Sequence, residues 1–307
     1  MKYIDLHCDA LTKSFDEKIP LKDGVLQVNL DKLKNSGCAA QCFAVFTQGD
    51  GADGRFGLYA EYFKNCMFEA GRGIIPVGGY SDLKYCLDGG GTGVILTVEN
   101  LGFLKSADEV DGLYNLGVRM ASPVWNYENT LAYPNLSPRG GRETRGLKPL
   151  GREVVSRLDE KGIIVDISHL SDGGAEEILR GRKIPLVASH SNCAGVCDVP
   201  RNLPDALIKK IAACGGVVGV NFCKRFLGRG NALRRAVDHI RHLIKVGGED
   251  TIAFGSDFDG IPACENIEGC EKMPALLNYI EDSGVSGAAL EKLAYKNFAR
   301  VFKDVCR

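Results

Sequence analysis

The chain has 307 residues, 45% hydrophobic and 25% charged, the make-up of a globular protein long enough to bury a large core. With 38 basic against 39 acidic residues the formal net charge is −1, and the absence of any basic run or arginine-rich arm argues against nucleic acid as a partner. No apolar run approaches the roughly 18–20 residues of a membrane span, and only six residues precede His7, too few for a secretory leader; a cytoplasmic protein with no membrane partner is expected.

In chain order, apolar and β-branched runs at 2–9, 39–47, 93–100, 118–126, 162–169, 184–190, 216–222 and 251–260 read as strands buried on both faces. Helical patterns lie between them, at 152–162, 174–181, 204–216 and 231–248, and 289–305 closes the chain as an amphipathic helix. Strands alternating with helices predict parallel βα units, and eight of them predict an α/β fold of (β/α)8 (TIM) barrel type over 1–307 as one catalytic domain. The long irregular stretch 133–151 reads as a lid or binding loop, or as a solvated surface loop. The twelve cysteines include no C-x-x-C pair, and Cys38/Cys42 and Cys193/Cys197 lack companions at zinc-finger spacing. Reduced, mostly buried thiols are the expectation.

The rarer polar residues fall at the ends of these runs. His7 and Asp9 end the first, Glu99 the third, His169 the fifth, His190 the sixth, and Asp257 and Asp259 the eighth. In a (β/α)8 barrel the C-terminal strand ends share one face, where active sites are built. His7 and Asp9, two apart on a strand, point the same way, and Cys8 points away. Imidazole and carboxylate suit zinc, although H-x-D alone is better read as a hydrogen-bonded core histidine. The company changes that: of five histidines, three stand at strand ends, while His239 and His242 lie in a helix and read as packing or surface residues. Five ligands from four strands suit two metals sharing a carboxylate. Glu99 would bridge, with His7 and Asp9 on one ion and His169 and His190 on the other. Asp257 is placed to take a proton from a water between the ions. Asp259 would face inward or brace a ligand, and Asp5 would lie deeper on the same strand face as an outer brace.

The motifs HCD at 7–9, VEN at 98–100, DISHLS at 166–171, SHSN at 189–192, RN at 201–202 and FGSDFDG at 254–260 resemble those of the membrane (renal-type) dipeptidase family, peptidase family M19, and the likeness runs to YKNFARVF near the C-terminus. The resemblance implies a (β/α)8 barrel with a binuclear zinc site that hydrolyses dipeptides, commonly including those with a C-terminal D-residue, in enzymes that are usually homodimers. Carried over by position, His7, Asp9 and Glu99 match the ligands of one zinc, and Glu99, His169 and His190 those of the other. Asp257 matches the acid that hydrogen-bonds the bridging hydroxide, and Arg201 the arginine that holds the substrate's terminal carboxylate, for which a forked guanidinium is suited. Animal members carry a histidine near the end of strand 4 that contacts substrate. Here Trp125, the single tryptophan, stands there, with Asn126 and Tyr127 as neighbouring candidates to assist. The function implied is a metallo-dipeptidase acting on small dipeptides. The rivals are another metal-dependent amidohydrolase, such as a lactonase or cyclic amidase on the same barrel, and a barrel that binds a small peptide or metal without turnover.

Overall fold

A computed structural model describes residues 1–48, 52–137, 140–285 and 287–306, with the side chains of 52–54 left aside. Among the described residues nine parallel strands are present: β1 (Tyr3–Cys8), β2 (Cys38–Phe46), β3 (Ile74–Pro76), β4 (Thr92–Glu99), β5 (Val118–Ser122), β6 (Ile164–Val165), β7 (Val187–Ala188), β8 (Val217–Val220) and β9 (Ile252–Phe254). Eight of them run in the order β6-β5-β4-β2-β1-β9-β8-β7. A parallel bridge from Asp166 to Val187 brings β6 back to β7, so the sheet closes into the expected (β/α)8 barrel. The extra strand β3 pairs with Thr92–Val94 of β4, below the point where β5 takes over that edge at Leu96.

Several strands are shorter than the apolar runs suggest. The runs at 162–169 and 184–190 yield two paired residues each. Asp166 explains this. Its carboxylate Oδ1 accepts the backbone N–H groups of Ser168 and Ser189, replacing ladder bonds, and the chain then turns through a left-handed His169, φ 66°. The run at 251–260 likewise stops at Phe254 and passes through left-handed Asp257 and Asp259. The helices at Pro149–Lys161, Asp172–Leu179, Asp205–Ala213 and Ala232–Gly247 lie within a few residues of their sequence patterns.

The barrel is filled rather than hollow. One buried cluster joins Ile4, Cys42, Ile95, Met120, Ile164, Val187, Val217 and Ala253, from the eight barrel strands, to Phe298 and Phe302 of the C-terminal helix Asn297–Val305. That helix lies where strands begin: Asn297 donates to Ile252 O at 2.8 Å, and the Cys306 thiol approaches Arg119 O at 3.6 Å. A larger cluster packs the outer strand faces against the helices. Ten of the twelve cysteines are buried. His239 is fully buried and His242 pairs with Asp205, both as packing residues. No helix among the described residues is long and apolar enough to cross a membrane.

Candidate metal centre

The C-terminal strand ends gather His7, Asp9, Glu99, His169, His190 and Asp257, drawn from across the chain. His169 Nε2 lies 3.0 Å and His190 Nε2 3.3 Å from the same Glu99 oxygen, Oε1, and the two imidazole nitrogens are 2.9 Å apart. His7 Nε2 is 3.3 Å from Asp9 Oδ2 and 3.9 Å from Asp257 Oδ1. The rings of His7 and His190 stack at 3.8 Å. Among the described residues three groups could hold an ion: His7, Asp9 and Glu99; Glu99, His169 and His190; and His7, His190 and Asp257. Donors about 2.1 Å from a tetrahedral zinc lie about 3.4 Å apart, close to these separations.

The donor chemistry fits a cation. His7 Nε2 and Glu99 Oε1 are buried without a hydrogen-bond partner, an arrangement costly without a ligand. Burial pushes Glu99 well above the usual carboxylate range. Burial also holds His169 and His190 well below the usual histidine range, helped by the positive charges of Arg201 and His7, so both rings are neutral. Their tautomers follow from their neighbours. His169 Nδ1 faces Asn126 Oδ1 at 2.8 Å; a carbonyl oxygen only accepts, so Nδ1 carries the proton. Ser189 donates its single hydroxyl proton to Asp166 Oδ2 at 2.5 Å and lies 2.7 Å from His190 Nδ1. It must therefore accept from that nitrogen. Both histidines turn an Nε2 lone pair toward Glu99, the form a metal needs. For His7, burial alone would lower the pKa, but Asp9, Glu99 and Asp257 outweigh it and raise it to about 10.

Asp257 sits on its left-handed turn with Oδ2 accepting from Asn221 Nδ2 at 2.8 Å. Burial, opposed by His7, raises its pKa to about 6. Arg201 is 7% exposed and lies behind the cavity wall. It donates to Ser191 Oγ and to His190 O, each at 2.9 Å, and its buried Nε has no partner, leaving donor capacity for an anion. Trp125 stands edge-on to Phe46 and 6.2 Å from the His169 ring, in the wall of a cavity of about 710 Å³ that also takes in Asp9, Glu99, Asn126, His169, Cys223, Phe226 and Asp257. Tyr127 is 63% exposed and does not line that cavity.

Two expectations need correction. Asp259 braces no ligand. Its fully buried carboxylate accepts from the backbone N–H groups of Gln27 and Val28 and pairs with Lys13, because the chain there is a turn and alternation fails. Asp5 hydrogen-bonds no side chain of the cluster, and the β1–β2 register shifts between Asp5 and Cys8. It ties β1 to its neighbours by accepting from Ser256 N, Ser256 Oγ and Gln41 Nε2. The residues that sequence reasoning missed, Asp166, Ser189 and Asn221, brace two members of this cluster, His190 and Asp257. Asn221 carried a signal, a lone polar residue near the end of the apolar run GVVGVNF. Space matters too: a Cβ on Gly219 or Gly255 would come 1.9 or 1.7 Å from Ser189 O, so the segment leading into His190 packs against bare backbone.

The chain matches the model of the membrane dipeptidase family, peptidase family M19, over residues 1–307. It is 34% identical over 234 residues to an uncharacterized protein in the pqqA 5′ region of Klebsiella pneumoniae, covering 73% of this chain and 86% of that one. It is similar to the crystal structure of a dipeptidase AC, a metallo peptidase of family M19, with 27% identity, a TM-score of 0.89 and coverage of 99% and 98% of the two chains. It also shares the fold of a Rhodobacter sphaeroides metallo peptidase liganded with a phosphinate mimic of the dipeptide L-Ala-D-Ala, at 24% identity, a TM-score of 0.90 and 99% coverage of both chains.

Proposed function

The chain belongs to the membrane dipeptidase family, peptidase family M19, and is a metallo-dipeptidase; from that premise we propose that it cleaves free dipeptides, L-D dipeptides among them, with two zinc ions. The observation that carries this reading is the pair of donor groups that share Glu99 at the end of one cavity. His7 and Asp9 would hold one ion, His169 and His190 the other, and Glu99 would serve both. When bound, two such cations polarise a carbonyl and bring the pKa of water toward neutrality.

The protein's own residues supply orientation and proton transfer. Asp257, fixed by Asn221, accepts the proton of the attacking water and returns it to the leaving amine. Arg201 holds the terminal carboxylate through the donors that His190 O and Ser191 leave free. Trp125 shapes the wall beside His169, its indole able to donate one hydrogen bond but not to carry charge. Asn126 acts through His169, accepting the hydrogen bond from its Nδ1–H. The filled barrel offers a pocket sized for a small peptide. L-D dipeptides are the natural first probes, because an enzyme of this fold holds an L-Ala-D-Ala mimic.

The test is metal analysis of the purified protein, with zinc-supplemented hydrolysis of L-L, L-D and D-D dipeptides. Zinc-dependent turnover that is fastest on an L-X or L-D dipeptide is expected. Turnover that no divalent metal stimulates, or none on any dipeptide, would sink the reading.

A further inference from the structure

We propose that Arg142 is a positioning residue for substrate recognition, holding the turn that presents Arg201; this rests on the reading that Arg201 binds the substrate carboxylate. Arg142 lies in the long irregular stretch between β5 and β6, residues 138–139 of which are outside the described residues. Leu136 and Arg142 form an antiparallel bridge, and Glu143 N donates to Asn135 O, so the stretch doubles back on itself.

Its outgoing limb is fastened to the segment carrying His169. Asn135 N donates to His169 O at 2.7 Å, Ser171 N donates to Tyr133 O at 3.0 Å, and Pro134 bridges Leu170. Its returning limb reaches the Arg201 turn through one side chain. Arg142 Nη1 donates to Asn202 O at 2.8 Å and reaches Pro200 O at 3.4 Å, while Nη2 donates to Val199 O at 3.1 Å. These three carbonyls flank Arg201 on both sides. Asp172 and Asp198 lie 3.5 and 3.4 Å from the guanidinium and hold its charge in place. Arg201 itself points to His190 O and Ser191.

One guanidinium therefore gathers the carbonyls of a turn, and a second guanidinium leaves that turn for the site. Charge-assisted bonds to three carbonyls are stronger than neutral ones, and the planar fork makes them together. Without Arg142 the Pro200 and Asn202 carbonyls revert to water, Val199 O keeps only the Asn202 N–H at 3.0 Å, and the turn gains freedom. Arg201 then loses its aim, and small errors of aim are costly in a preorganised site. Neither arginine is in the cavity lining, but the Arg142 guanidinium is engaged by the carbonyls flanking Arg201, whereas Arg201 lies against His190 with a free Nε, so the effect of Arg142 on substrate passes through Arg201.

The experiment compares a dipeptide with the same dipeptide as its C-terminal amide, which lacks the carboxylate. The proteins are wild type, R142A, R142K, R201A and R142A/R201A, each with zinc content and thermal midpoint measured. R142A should raise KM for the dipeptide about tenfold, the equivalent of one charge-assisted hydrogen bond, with a smaller fall in kcat and less effect on the amide. R142K keeps the charge but cannot span three carbonyls and should fall between; it carries the test if R142A does not fold. In the R201A background, R142A should add less than about twofold. Equal losses on dipeptide and amide, or a full additional loss on top of R201A, would overturn the proposal and leave Arg142 a general stabiliser. If R201A alone fails to separate dipeptide from amide, the carboxylate role of Arg201 falls, and this inference with it.

Discussion

Replacing Ser189 with alanine removes one hydroxyl that belongs to none of the candidate ion-holding groups and does not line the cavity, yet it should weaken metal binding. The hydroxyl joins Asp166 to His190 Nδ1 through contacts of 2.5 and 2.7 Å. Alanine leaves the His190 N–H buried without an acceptor, which costs about 1–3 kcal/mol. The ring can escape only by moving its proton to Nε2, and it then has no lone pair to offer beside Glu99. Partners of this kind typically contribute 10–100-fold in metal affinity, or about 1.4–2.7 kcal/mol. Asp166 keeps the Ser168 and Ser189 N–H groups, so the turn itself survives. The assay is zinc occupancy in a series of metal buffers, read by elemental analysis and by recovery of dipeptidase activity. S189A should need about 10–100-fold more free zinc for half occupancy and should saturate to near wild-type secondary structure. If S189A binds zinc as tightly as wild type, the tautomer argument is wrong.

Asp257→Asn should keep its metal and its fold but lose about 10²–10⁴-fold in kcat, measured on the best dipeptide; a loss below tenfold would remove it from proton transfer. His239 is fully buried, accepts from Cys193 N and faces Leu227 O, and burial lowers its pKa to about 4. Because the folded value lies below the unfolded one, the folded state resists protonation. Stability should be full near pH 7 and fall by about 3 kcal/mol as pH drops from about 6.5 to 4. Denaturant melts of wild type and His239→Gln across that range should differ in slope, and parallel curves would refute it. Gly255→Ala should disturb the His190 segment, because its Cβ would meet Ser189 O at 1.7 Å; a cost of about 1–3 kcal/mol or more is expected, together with reduced zinc content.

The convergence of His7, Asp9, Glu99, His169, His190 and Asp257 was legible because histidines and acids are conspicuous at the ends of apolar runs, and barrel topology sends those ends to one face. Alternation along a strand does not account for where Asp9 and Asp257 lie. Asp9 lies beyond β1, as N-cap of the helix Ala10–Glu17, and Asp257 reaches the site from a left-handed turn. The same rule misplaced Asp259. β3 was missed because three residues carry no periodicity. The short β6 and β7 looked longer because Asp166 and Ser189 do by side chain what a ladder does by backbone, and no hydropathy pattern records that. The helix Ala52–Ala70 was missed too, because its apolar residues are interrupted by Gly57, Lys64 and Asn65.

The side chains that fill the barrel, capped at its strand-starting end by the C-terminal helix, make the site a blind well. Whatever enters by the mouth must leave by it. A long polypeptide cannot be threaded through to offer an internal bond, so selection for length needs no dedicated gate. Two amino-acid products share the exit with the next substrate. Steady-state kinetics should accordingly show product inhibition, strongest, if Arg201 holds the terminal carboxylate as proposed, for the product that carries it.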